Sequence, residues 1–109
     1  MDELDDAGDP TGTAEISIDP SGVPVIRLAG EIDMSNVDAL RTVIEPVMES
    51  APARVDFDLA GLEFMDSSGI ALLLRVAAKT QTVRVREPSP IVRRLIEATG
   101  LTEILPIEP

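Results

Sequence analysis

Phe64-Met65-Asp66-Ser67-Ser68-Gly69-Ile70 is where the chain changes character. Before it, Phe57, Leu59 and Leu62 have the residue types and spacing of a strand, and after it the apolar run Ile70 to Leu74 reads as the start of a helix. Asp66, Ser67 and Ser68 therefore stand at a strand-to-helix junction. Asp and Ser are favoured there because a side-chain oxygen can accept from the free N–H groups of the first turn. Those N–H groups and the helix dipole also suit a negative charge. A hydroxyl at this point is a good place to attach a phosphate.

The rest of the composition narrows the choices. A chain of 109 residues with 44% hydrophobic residues predicts one domain with a real core. Aromatics are only 2%, so that core is built from Val, Ile, Leu and Ala. The net charge of −11 argues against a nucleic-acid or anionic-membrane partner, whose phosphates call for Lys and Arg. No apolar run approaches the roughly 18–20 residues of a membrane span. The acidic beginning carries no secretory signal, and with no Cys there is no disulfide framework, so the cytoplasm is the expected compartment. The absence of both His and Cys excludes Ser-His-Asp and Cys-His catalysis and ordinary zinc sites. No metal site and no cofactor are expected.

Residues 1–12 are acidic and nearly devoid of apolar side chains, which predicts a disordered tail ahead of a domain over 13–109. Ala14, Ile16 and Ile18 alternate with polar residues as in a strand with one wet face. Asp19-Pro20-Ser21-Gly22 has the pattern of a type I turn, and Val23 to Ala29 makes the second arm of an antiparallel hairpin. Gly30 to Asn36 reads as a loop, with Ser35 or Asn36 capping a helix that carries Val37, Leu40, Val43, Ile44, Val47 and Met48. Pro46 predicts a kink in that helix, or a break and restart. Val55, Phe57 and Leu59 alternate with Arg54, Asp56 and Asp58 in a third strand, followed by a loop at Gly61. In the helix after the junction, Ile70, Leu73, Leu74, Ala77 and Ala78 share one face, which turns Leu72 outward with Arg75 and Lys79. Val83 and Val85 mark a fourth strand. Ser89-Pro90 starts a helix that Gly100 ends in a left-handed conformation, with Leu101 folding back on Ile96. Glu103 to Ile107 is a candidate short fifth strand.

The fold class expected is thus α/β: a single domain with a mixed sheet of four or five strands. An N-terminal antiparallel hairpin leads into alternating strands and helices, with parallel pairing after the hairpin. Strict alternation in three strands predicts helices mainly on one face and a partly open face opposite. Strand order stays open.

Leu28-Ala29-Gly30-Glu31-Ile32-Asp33, Phe57-Asp58-Leu59 with Phe64 to Ile70, and Pro90 through Gly100-Leu101 together resemble the anti-sigma factor antagonists of the STAS domain family, over about residues 13 to 107. One departure is Thr80-Gln81-Thr82, where the family usually has a Gly between the second helix and the fourth strand. The resemblance implies a bacterial partner-switching module in transcription and stress response. In such families a serine kinase that is also the anti-sigma factor phosphorylates the second Ser of the motif, here Ser68. The unmodified antagonist binds the kinase and frees the sigma factor; the phosphorylated form lets go, and a serine phosphatase restores it. The resemblance further implies that Asp33 lies close to the phosphorylated Ser and that Asp66, Ser67 and Gly69 shape its loop. The partner-facing surface is expected to include Met34, Ser35, Met65, Leu72 and Arg75. ATP and magnesium belong to the kinase, and the chain is expected to be a monomer and not an enzyme.

Other readings compete. Ser67 and Ser68 could serve only as helix caps, and some members of the family bind partners without being phosphorylated. A protein-binding or nucleotide-binding STAS module in a larger complex is a further alternative, although no glycine-rich phosphate cradle is present. An enzyme built on Ser68 would need a base. Lys79 lies about 16 Å along the same helix by its rise per residue, and Asp33 is a poor base for a serine at its normal pKa.

Overall fold

A tight turn sets the first strand pairing. Asp19 Oδ1 accepts from the Ser21 amide at 2.9 Å, the Ser21 hydroxyl at 2.8 Å and the Val23 amide at 3.0 Å. Gly22 donates to the Asp19 carbonyl at 2.9 Å. The hairpin closed by this turn joins β1 (Gly12–Ile18) to β2 (Pro24–Ile32). The structure, a computed structural model, describes residues 12–108. Of the stretch 1–12 expected to be disordered, residues 1–11 lie outside the described residues, and Gly12 belongs to β1.

The chain continues through α1 (Val37–Glu49), β3 (Arg54–Met65), α2 (Ser67–Ala78), β4 (Thr82–Arg86) and α3 (Pro90–Ala98). The four strands form one sheet in chain order, β1-β2-β3-β4. β1 and β2 are antiparallel, while β2–β3 and β3–β4 are parallel. The candidate fifth strand is reduced to one bridge. Ile107 pairs with Val85, with Val85 donating to the Pro106 carbonyl and Glu108 donating to the Val85 carbonyl, each at 2.8 Å.

Two segments read as loops are strand. Gly30, Glu31 and Ile32 extend β2 and pair with Leu62, Phe64 and Met65. Gly61 lies inside β3, opposite Ala29, where the β2–β3 register shifts. A bulge accommodates a glycine that sequence alone marks as a break.

The core is one cluster that takes Ile26, Leu28 and Ile32 from β2 and Val55, Phe57 and Leu59 from β3. Onto it pack Leu40, Ile44 and Met48 of α1, Ile70, Leu73 and Val76 of α2, and Val92 and Ile96 of α3. The helices therefore cover one face of the sheet. α1 runs through Pro46 without a break. Pro46 removes the amide that would bond to Thr42, but both residues are exposed, so water can serve that carbonyl. After α2, the Thr80 hydroxyl donates to the Val76 carbonyl. Among the described residues no positive φ occurs at Lys79, Thr80 or Gln81, so this turn closes without the glycine it lacks. Ser89 caps α3 by accepting from the Val92 amide at 3.3 Å, Pro90 follows it, and Gly100 takes a φ of 74° while Leu101 donates to the Ile96 carbonyl.

The opposite sheet face is charged, as its alternation predicts, with one difference. Asp56 is fully buried there rather than wet. Arg54 and Arg86 lie across it and donate to both of its oxygens.

Candidate functional site

The sheet delivers the junction to its place. The Asp66 amide donates to the Ile32 carbonyl at 3.1 Å, so the end of β3 is tied to the end of β2 and the loop after it. Asp66 then leaves the strand in an extended conformation as the N-cap of α2, and its Oδ1 accepts from the Ser68 amide at 2.8 Å. Its carbonyl accepts from Gly69 at 3.0 Å and Ile70 at 3.2 Å. Ser67 and Ser68 are the first two residues of α2; Ser67 is exposed and Ser68 half-buried. Gly69 is the residue that lets this turn sit down. A Cβ there would stand 2.7 Å from the Met65 Cβ and 3.1 Å from its sulfur.

The Asp33 loop, anchored beside this turn through Ile32, is internally braced. Asp33 Oδ1 accepts from the Ser35 amide at 2.8 Å and the Ser35 hydroxyl at 2.5 Å. Asn36 is buried and stands at the N-cap of α1, but its side chain turns back instead of capping. Its Oδ1 accepts from the Asp33 amide at 3.0 Å and its Nδ2 donates to the Glu31 carbonyl at 2.9 Å. The carbonyl of Asp33 starts the helix instead, accepting from Val37 at 3.0 Å. Met34, at the tip, is 79% exposed.

Ser68 opens into a cleft of about 300 Å³ between α1 and α2, lined by Val37, Asp38, Arg41, Ala71, Leu72 and Arg75. Arg75 is exposed as expected. Two expected partner-facing residues are not on the surface. Met65 is 1% exposed, pinned beneath Gly69, and Leu72 is 2% exposed. Leu72 turns inward because α2 packs against α1 as well as the sheet, and so buries a wider arc than one apolar stripe. Sequence reasoning missed Arg41 as a cleft residue and Asn36 as the brace of the Asp33 loop. Val37, Asp38 and Arg41 do share one stripe of α1 at helical spacing, but only the topology shows that this stripe meets α2. Phe64, the first residue of the junction motif, is 46% exposed and lines a second groove of about 290 Å³ with Ile91, Arg94, Leu95 and Ala98.

Chemically, the arrangement offers two hydroxyls at the start of α2, Ser67 exposed and Ser68 half-buried and open to the cleft, with the Asp66 carboxylate as the cap and Asp33 in the neighbouring loop. Among the described residues no cluster of His, Cys, Asp and Glu has the makings of a metal site. None of the described helices is long and apolar enough to cross a membrane.

Comparison with known proteins points one way. The family model described as Mlab, STAS domain, matches residues 16–106. An anti-sigma F factor antagonist of Paenibacillus polymyxa is 32% identical over 91 residues, spanning 79% of this chain and 78% of that protein. The crystal structure of an anti-sigma factor antagonist from Mycobacterium paratuberculosis superposes with a TM-score of 0.82 at 32% identity, over 91% of this chain and 86% of the other. The Bacillus cell fate determinant SpoIIAA in its phosphorylated form gives a TM-score of 0.67 at 26% identity, over 88% of this chain and 91% of the other.

Proposed function

The chain belongs to the STAS-domain family of anti-sigma factor antagonists, and from that premise we propose that it is a partner switch toggled at Ser68. Unmodified, it binds an anti-sigma factor that is also a serine kinase and so frees a sigma factor. The kinase transfers the γ-phosphoryl group of ATP to Ser68 Oγ; ADP leaves, and the hydroxyl proton passes to the kinase. The phosphorylated chain lets go, and a serine phosphatase returns it to the binding state. On this reading the chain acts as a cytoplasmic monomer.

The observation that carries the reading is the position of Ser68. It is the second residue of α2, fixed by the Asp66 cap and open to a cleft rather than packed in the core. A phosphate adds about −1.5 to −2 charges. The helix start accommodates that charge, so the fold tolerates it. A partner surface matched to a neutral hydroxyl does not, because like-charge contacts across an interface cost several kcal/mol. Asp33 and Asp66 add to the local negative field. The contact surface we assign runs from Met34 and Ser35 to the exposed rim of the cleft at Arg41 and Arg75; Met65 and Leu72 support it from below.

The test compares wild type, Ser68→Ala, Ser68→Asp and authentic Ser68 phosphoprotein. A pull-down from cell extract identifies the partner, and titration measures its affinity. We expect phosphorylation to weaken binding at least about 100-fold, the equivalent of about 2.7 kcal/mol, with the melting temperature nearly unchanged. Equal affinity of the phosphorylated and unmodified proteins refutes the switch and leaves a constitutive binding module.

A further inference from the structure

We propose that Arg41 and Arg75 form an internal clamp that takes hold of the phosphate once Ser68 carries it, so that the modified chain sequesters its own phosphate in the α1–α2 cleft. This rests on the reading that Ser68 is the modified residue. Both arginines line the cleft into which Ser68 opens, one from each helix. Arg75 is exposed and enters no ion pair among the described residues. It lies seven residues beyond Ser68, two turns along the same face and about 10 Å by helical rise. Helical side chains lean toward the N-terminus, so the long Arg75 arm leans toward Ser68, and phosphorylation lengthens the serine to meet it.

Arg41 approaches from the facing helix. It is held now by Asp38, with Nη2 3.0 Å from Oδ1, but that pair is exposed, with side chains 43% and 83% accessible. Exposed pairs of this kind contribute little, so Arg41 gives up little in exchanging Asp38 for a doubly charged phosphate. Arginine's planar fork suits phosphate oxygens and forms stronger charge-assisted bonds with them than with neutral acceptors. The carboxylates that oppose the clamp are Asp33 and Asp66 at the junction and Asp38 on α1. Coulomb energy falls with distance, so guanidinium groups in direct contact with the phosphate outweigh carboxylates that are not. The clamp gives release a second cause. Besides repelling the partner, the phosphate withdraws two rim cations from any contact with it.

The experiment uses the full chain with phosphoserine incorporated at position 68 during translation, which requires no kinase. The ³¹P chemical shift is followed against pH for wild type, Arg41→Gln, Arg75→Gln and the double variant, each checked for a cooperative melt. Neutral phosphoserine behaviour gives a second pKa of about 6. We expect the wild-type midpoint about one unit below that of the double variant, as for an acid beside an arginine, with the single variants between. Coincident midpoints in wild type and double variant overturn the clamp. If the double variant does not melt cooperatively, the two single variants decide by the same comparison. Coincident midpoints with partner release intact defeat the clamp alone, whereas an intact shift without loss of partner binding defeats the switch.

Discussion

Replacing Asp56 by Asn asks whether a buried carboxylate holds the open face of the sheet together. Asp56 is 0% exposed, and Arg54 and Arg86 donate to it at 2.9, 3.1, 3.1 and 2.6 Å. Burial alone would push its carboxyl up, but those hydrogen bonds and the two positive charges hold it below its ordinary value. Asn keeps the shape, loses the charge and turns an N–H₂ toward a guanidinium donor. Removing one member of a buried pair costs about 3–5 kcal/mol. Here the arginine side chains are 37% and 34% exposed, so water relieves part of the loss and we take the low end, about 3 kcal/mol. For a chain of this size that lowers the melting temperature by about 12–24 °C. The chain has no Trp or Tyr, so far-UV circular dichroism at neutral pH is the suitable readout. The pH dependence carries a sign. A carboxylate whose folded pKa is depressed contributes stability that is fully present above its unfolded value, about 3.9, and lost as pH falls through the lower folded value. The gap between wild type and Asp56→Asn should therefore be full at neutral pH and close in acid. Asp19 is held low too, chiefly by the Val23 amide and the Ser21 hydroxyl, hydrogen bonds that both proteins keep. A change in melting temperature below about 4 °C, the equivalent of less than 1 kcal/mol, or a gap that persists undiminished in acid, refutes this account.

Two further substitutions test the packing and helix arguments. Gly69→Ala gains up to about 1 kcal/mol of helix propensity but forces a methyl against the Met65 Cβ, an overpacking that costs about 1–3 kcal/mol. We expect net destabilisation of about 1–2 kcal/mol in urea denaturation, and a gain in stability would contradict the close approach. Pro46→Ala restores the amide donor to the exposed side of α1, so we expect it to stabilise by about 1–3 kcal/mol; a lower melting temperature would show that Pro46 fits its helix better than its chemistry suggests.

Local chemistry made much of this molecule legible. The Asp19–Gly22 turn, the Asp66 and Ser89 caps and the Gly100 terminus each depend on a few neighbouring residues, and each forms as its residue types predict. The errors lie where a distant partner decides. Gly61 and Gly30 look like breaks until β2 and β3 are paired with a shifted register. Asp56 looks wet until Arg86, thirty residues on, is laid across it. Leu72 looks exposed on a helical wheel with one apolar stripe, because the wheel does not know that α1 packs beside α2. At the candidate site, Ser68 and its cap were legible from a seven-residue motif. The cleft that Ser68 faces was not, since half its lining comes from α1.

Because each strand lies beside the next one in the chain, every pairing joins neighbours, and the parallel ones close loops of only about thirty residues. Loop-closure entropy rises slowly with length, and none of these steps waits for a remote terminus. A chain emerging from the ribosome can complete its hairpin, add α1 and β3, and lay down α2 in order of synthesis. The lining of the Ser68 cleft falls between residues 37 and 75. The cleft is thus complete in sequence before β4 and α3 have left the exit tunnel, and what those last elements add is the closing of the core beneath it.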